Sequence, residues 1–232
     1  MKYATVLFDS DETLLDFKRS EKEAIEGALS YAGVTPDPEI IGEYSKINQS
    51  LWKLLEKGGI KKDELKYRRF ELLFEKYSIE SDPRDTATKY MELLSKHGYL
   101  LDGAKALCEA LSDKADLYIV TNGIKFIQEG RLADSGITCY FKGTFISEDA
   151  GYEKPRVEFF DHVADRIPGF SKEKTIIVGD SLTSDIAGGI NYGIDTCWYN
   201  PRGEEAPENI RDKITYTVST YKEIYDLITK GE

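Results

Sequence analysis

Between residues 98 and 199, short apolar runs alternate with helical periods, and this alternation constrains the fold more than any other feature. A helix is expected around 103–111, followed by strand 116–120, helix 124–135 stopped by Gly136, strand 144–146 and helix 155–166. Strand 175–178, helix 184–192 and strand 195–199 complete the series. Strands joined by helices of this length need right-handed crossovers, which build a parallel sheet covered on both faces. Residues 3–8 read as one more buried strand, running straight into Asp9-Ser10-Asp11-Glu12. The expected fold class is α/β, a doubly wound parallel sheet.

Residues 17–97 have a different texture, with four helical periods and no strand between them. Ser20 and Glu23 stand at capping-box spacing before the first period, and Asp37-Pro38 reads as N-cap and first helical residue of the second. Asp63 is expected to cap the third, and Asp82-Pro83 to open the fourth. The expected organisation is a core domain of residues 1–16 and 98–232, interrupted after its first strand by an inserted all-helical domain, 17–97. The long surface loop is expected at 200–209, rich in Pro, Gly and Glu.

Composition narrows the function. The net charge of −11, from 42 acidic against 31 basic residues, repels a nucleic-acid backbone and offers anionic lipid no general attraction. No run approaches the eighteen or so apolar residues of a membrane span, and no signal peptide precedes the first strand. Cys108, Cys139 and Cys197 are widely spaced, without zinc-ligand or redox-dithiol spacing. A cytoplasmic protein is expected, with neither a membrane nor a nucleic-acid polymer as partner.

In open parallel sheets, sites gather at the carboxyl ends of the strands. Asp9 and Asp11 follow the first strand, Thr121-Asn122-Gly123 the second, Lys154-Pro155 the third, and Gly179-Asp180 with Asp185 the fourth. Singly, each is ordinary loop chemistry; four in register are not. Attack of a carboxylate on a phosphoryl dianion sets like charges at about 4 Å, costing roughly 4 kcal/mol per unit pair at an effective dielectric near 20. Ionised Asp9, Asp180 and Asp185 would be balanced by Lys154 and one divalent cation. Oxygen donors without histidine or thiolate favour magnesium.

Asp9-Ser10-Asp11-Glu12-Thr13 resembles the DxDxT motif of the phosphatase branch of the haloacid dehalogenase superfamily. Thr121, Lys154 and Gly179–Asp185 resemble its second, third and fourth motifs, and the helical block resembles its type 1 cap. The resemblance implies a Rossmann-like core and a Mg²⁺-dependent phosphomonoesterase. Asp9 would be the nucleophile, forming an aspartyl phosphate, and Asp11 the general acid and base. Thr121 and the Asn122 N–H would bind phosphoryl oxygens, with Lys154 neutralising charge. The Asp9 carboxylate, the Asp11 carbonyl and the Asp180 carboxylate would hold the metal, with Asp185 orienting a bound water or Lys154. Thr13 would fix the turn that presents the two aspartates; Glu12 is assigned nothing. Residues 184–193 and Thr196-Cys197-Trp198-Tyr199-Asn200 resemble the bacterial pyrimidine 5'-nucleotidase group, with 14–17 in agreement. The implied partner is a small phosphomonoester, a nucleoside monophosphate such as dUMP or dTMP, and the implied state a monomer or weak homodimer.

His97 and His162 lie in no triad or HExxH context, which removes serine and zinc hydrolase readings. Gly188-Gly189 reads as close packing of a helix on the sheet, and no GxGxxG follows the first strand. Tyr44, Trp52, Tyr67, Phe70, Phe74 and Tyr77 read first as the core of the helical block, with one or two able to face a substrate. Among rivals, a phospho-accepting receiver is half this length and lacks the insertion. A dehalogenase has no acid at the position of Asp11, whereas a phosphomutase, a sugar-phosphate or phosphoglycolate phosphatase, or a broad-specificity phosphatase shares all four motifs.

Overall fold

The computed structural model describes residues 2–230. In chain order the elements begin β1 (Thr5–Phe8), α1 (Phe17–Tyr31), α2 (Pro38–Glu56), α3 (Lys62–Tyr77), α4 (Pro83–Leu94), α5 (Ala104–Leu111), β2 (Asp116–Thr121) and α6 (Lys125–Ser135). They continue β3 (Gly143–Ile146), α7 (Ser147–Ala150), α8 (Val157–Ala164), β4 (Thr175–Gly179), α9 (Ala187–Tyr192), β5 (Asp195–Tyr199), α10 (Glu208–Arg211), β6 (Tyr216–Val218) and α11 (Tyr221–Lys230). Two compact units result: Met1–Asp16, Tyr99–Lys125 and Ser135–Glu232 form one, Phe17–Gly98 and Phe126–Asp134 the other. None of the described helices is long and apolar enough to cross a membrane.

The first unit holds six strands in the order β3-β2-β1-β4-β5-β6, every pair parallel. All side chains of β1 and β4 are buried, as central strands covered on both faces must be. On one face Leu7, Val120 and Ile177 meet Phe159, Phe160 and Val163 of α8 and Tyr192 of α9. Gly189 is where α9 touches the sheet: a Cβ there would lie 2.6 Å from Thr196 Cγ2 and 2.7 Å from Ile177 Cγ2. The chain leaves this unit at Asp16 and returns at Tyr99, whose carbonyl accepts the Asp16 N–H at 2.9 Å; Leu101 N–H donates to Leu14 at 3.0 Å. These adjacent ends allow a long insertion without disturbing the sheet.

The helical unit is built on rings. Tyr44, Phe70 and Tyr90 lie with centroids 5.2–5.5 Å apart, and Phe74 packs edge-on to Phe70. Tyr44, Phe70 and Phe74 are therefore core. Trp52 packs on Leu51, Leu55 and Leu65, Arg84 lies 4.9 Å over Tyr67, and Tyr77 Oη donates to Glu39 at 3.4 Å. A buried polar chain runs through the unit, with Arg69 Nη1 donating to Asn48 Oδ1 at 3.1 Å and Asn48 Nδ2 to Glu21 Oε1 at 2.6 Å.

Asp37 caps α2 and Asp82 caps α4, each ahead of its proline. Two expected caps fail. Helix α1 starts at Phe17, and Ser20 lies inside it, its hydroxyl donating to His97 O at 2.8 Å. Helix α3 starts at Lys62, so Asp63 sits in the first turn, where its carboxylate accepts from Lys66 at 2.9 Å. The segment Phe126–Asp134, expected with the core, groups with the helical unit. Within that unit Arg131 Nε donates to His97 O at 3.2 Å, and Asp134 accepts the Gly98 N–H at 2.9 Å.

Candidate active site at the carboxyl ends of the strands

Phe8 pairs with Ile119 on one side and Val178 on the other, so β4 runs one residue and β2 two residues past the end of β1. The strand order reverses between β1 and β4, where open parallel sheets form a crevice beyond the strand ends. Asp9 is the first residue past β1, its N–H donated to Val178 O at 2.9 Å. The chain then turns tightly: Ser10 O accepts the N–H groups of Leu14 and Leu15, and Glu12 N–H donates to Leu15 O. This turn holds Glu12 at φ 59°, a left-handed conformation that costs a long side chain of order 1–3 kcal/mol. Asp11 is half-buried within it, and Thr121, closing β2, is 2% exposed. Thr13 acts elsewhere than expected. The Ser10 carbonyl fixes the turn, while the Thr13 hydroxyl accepts the Asp180 N–H at 3.0 Å and so joins the turn to the end of β4.

Lys154 is the centre of the cluster. Its ammonium donates at 2.7 Å to each of Asp9 Oδ1, Asp185 Oδ1 and Val120 O, which uses all three of its hydrogens. The residue is 1% exposed. Asn122 pins its backbone, accepting the Lys154 N–H and donating Nδ2 to the Lys154 carbonyl, both at 2.8 Å. The Asn122 side chain is thus occupied, and only its backbone N–H is suited to an anion. Asp185, fully buried, accepts the Ser181 N–H at 3.1 Å on its second oxygen. Its approach requires glycine before Asp180, since a Cβ on Gly179 would sit 2.3 Å from Asp185 Oδ2.

Asp180 is half-buried, and carboxylate oxygens of Asp9, Asp180 and Asp185 lie within 4.8 Å of one another. Burial first, then Asp9 and Asp185, push the Asp180 carboxyl up to about 8. Burial and Asp185 raise Asp9 as well, against the pull of Lys154. Burial would lower Lys154, yet Asp185 and Asp9 outweigh it and hold the ammonium protonated. Three carboxylates facing one ammonium leave an uncompensated charge of −2 when ionised. An oxygen-only donor set with that deficit fits a hard divalent cation.

Two residues that steady this cluster lie outside the four motifs. Trp198 Nε1 donates to Asp180 O at 2.9 Å, and Tyr221 Oη donates to Thr13 O at 2.9 Å. Of the two histidines, His97 gives its carbonyl to Ser20 and Arg131, and His162 packs edge-on against Phe145.

The chain matches the haloacid dehalogenase-like hydrolases over residues 3–193. Pyrimidine 5'-nucleotidase PynA of Streptococcus pneumoniae is 43% identical over 100% of this chain and 97% of its own. Pyrimidine 5'-nucleotidase YjjG of Escherichia coli is 33% identical over 99% of this chain and 100% of its own. Among solved structures, the HAD-hydrolase YfnB of Bacillus subtilis, bound to magnesium, has a TM-score of 0.92 at 40% identity, covering 98% of this chain and 99% of that one.

Proposed function

Because the chain belongs to the haloacid dehalogenase-like hydrolase family, we propose that it hydrolyses pyrimidine nucleoside 5'-monophosphates through an aspartyl phosphate on Asp9. The observation that carries this chemistry is the buried ammonium of Lys154 holding Asp9 and Asp185 at 2.7 Å each. It fixes one oxygen of the Asp9 carboxylate and works against the burial and the Asp185 charge that disfavour ionisation, the form a nucleophile needs. Asp9 attacks phosphorus, the phosphorus–ester oxygen bond breaks, and Asp11 gives its proton to the leaving oxygen. Asp11, now a carboxylate, takes a proton from water, whose oxygen attacks phosphorus and releases phosphate and Asp9. The acid at position 11 favours this course over dehalogenation. Thr121 and the Asn122 N–H bind the phosphoryl oxygens, and Lys154 offsets their charge.

Asp9, Asp180 and the Asp11 carbonyl would hold Mg²⁺, with Asp185 steadying Lys154. The ion would supply the positive charge that the carboxylate cluster and a phosphoryl dianion require. A consequence concerns pH. Asp180 and Asp9 are raised above the ordinary carboxylate range, so the fold favours their protonated forms. Stability of the metal-free protein therefore falls as pH rises from the ordinary range to about 8. Metal binding needs both ionised and displaces those protons. The rise in Tm on adding Mg²⁺ should be larger at pH 8 than at pH 6; an equal or smaller rise at pH 8 would contradict the assignment of these two carboxylates.

The substrate class rests on the full-length similarity to PynA and YjjG, not on the rings of the helical unit, since Tyr44, Phe70 and Phe74 are buried in its core. Comparing kcat/KM for dUMP, dTMP, UMP, AMP, phosphoglycolate and glucose 6-phosphate tests it. The pyrimidine nucleotides should lead by about ten-fold or more, a difference of about 1.4 kcal/mol. Equal efficiency on the last two would remove the nucleotidase assignment and leave the phosphatase chemistry standing.

A further inference from the structure

Asp180 is held by its backbone from both sides, by the threonine that closes the first motif and by a tryptophan outside all four motifs. Its N–H enters the buried Thr13 hydroxyl at 3.0 Å, and its carbonyl receives the Trp198 indole N–H at 2.9 Å. Each holder is anchored in turn. Trp198 ends up 3% exposed, packed with Ile186 and Ala206 beside Leu182, Ile190, Ile210 and Ile214, so its ring cannot swing. Thr13 is 0% exposed, and its carbonyl takes the Tyr221 Oη–H at 2.9 Å. Tyr221, from the last helix, stacks on Tyr199 with centroids 5.0 Å apart and planes 12° apart. Residues from β5 and α11 thus converge on the peptide that carries one carboxylate of the cluster.

We propose that Trp198 and Tyr221 are positioning residues for the divalent cation, setting the Asp180 carboxylate where it meets that of Asp9. The assignment rests on Asp180 being a metal ligand, as proposed above. The reasoning is geometric. A carboxylate on a short side chain goes where its Cα goes, and the Asp180 Cα lies between the two restrained peptide groups. Mg²⁺ demands near-ideal ligand placement at about 2.0–2.1 Å. Displacing the Asp180 peptide by a fraction of that distance lowers affinity for the ion, whereas the Asp9–Lys154 contact, made from two other loops, stays in place. The signature is a loss of metal affinity without loss of turnover once metal saturates. A residue that only fills space would change neither in this pattern.

Trp198→Phe keeps an aromatic ring in the cluster and deletes the N–H; Tyr221→Phe keeps the stack and deletes the hydroxyl. Calorimetric titration of the substrate-free variants with Mg²⁺ should give a dissociation constant raised by about ten-fold or more for Trp198→Phe, and raised for Tyr221→Phe, in line with losses of outer-sphere partners at metal sites. The kcat at saturating Mg²⁺ should match the parent. Parental Mg²⁺ affinity in Trp198→Phe, with binding abolished in Asp180→Asn, overturns the proposal and leaves the metal assignment intact. Parental affinity in Asp180→Asn removes the assignment itself, and the proposal with it. If Trp198→Phe fails to fold, Tyr221→Phe decides alone, and parental affinity there overturns the proposal.

Discussion

Asp9→Asn should fold normally and lose phosphatase activity by a factor on the order of 10⁴ to 10⁶, the scale seen when a nucleophile is removed. The amide is nearly the same size as the carboxylate and its oxygen can still accept from Lys154 Nζ, so the contact at 2.7 Å need not break. What disappears is the negative charge that the proposed mechanism sends against phosphorus. The same substitution removes one of three carboxylates facing a single buried ammonium, which relieves repulsion in the metal-free protein. Its metal-free Tm at pH 8 should therefore equal or exceed that of the parent. Loss of activity with a raised Tm is the mark of a chemical role; substantial residual turnover of a phosphomonoester would show that Asp9 is not the nucleophile.

Lys154→Met should be the most damaging single change to stability, costing about 3–5 kcal/mol, the usual result of stripping one partner from a buried ion pair. At about 2–4 °C per kcal/mol for a chain of this size, Tm should drop by roughly 6–20 °C. Asp185 explains the magnitude. It is 0% exposed, and without the ammonium its Oδ1 has neither water nor the cation that holds it now. Val120 O loses its partner as well. The double variant Lys154→Met/Asp185→Asn removes the stranded charge and should recover a good part of the lost Tm, while activity stays lost. If the single variant melted like the parent, the network would carry no structural weight.

The site was legible because each piece sits where a local pattern changes. Apolar runs stop at Asp9, Thr121 and Gly179, and a polar residue at the end of a parallel strand is visible without knowing its neighbours. What escaped depends on contacts between distant positions. Strand β6 is three residues long, with Thr217 exposed between half-buried Tyr216 and Val218, too short to show a period. Helix α11 buries Ile224, Leu227 and Ile228, and Glu223 accepts the Ser219 and Thr220 N–H groups at its start. Ser20 and Asp63 misled because tertiary and side-chain partners outcompeted the caps their spacing suggested. The Trp198–Asp180 and Tyr221–Thr13 bonds span 18 and 208 residues, and no local period encodes either. Helix α6 keeps the expected span almost to the residue, but the grouping of 126–134 with the inserted helices depends on Arg131 and Asp134 binding His97 and Gly98.

The central claim is that phosphate passes through a covalent bond to Asp9, and chemical trapping tests it most directly. Enzyme turning over dUMP with Mg²⁺ would be quenched in acid, which preserves acyl phosphates, then reduced with borohydride, digested and analysed by mass spectrometry. Borohydride converts an aspartyl phosphate to homoserine, so the peptide containing residues 9–11 should carry homoserine at position 9 only, and none in enzyme quenched without substrate. Homoserine at another aspartate, or none at any position while turnover runs at full rate, would contradict the account.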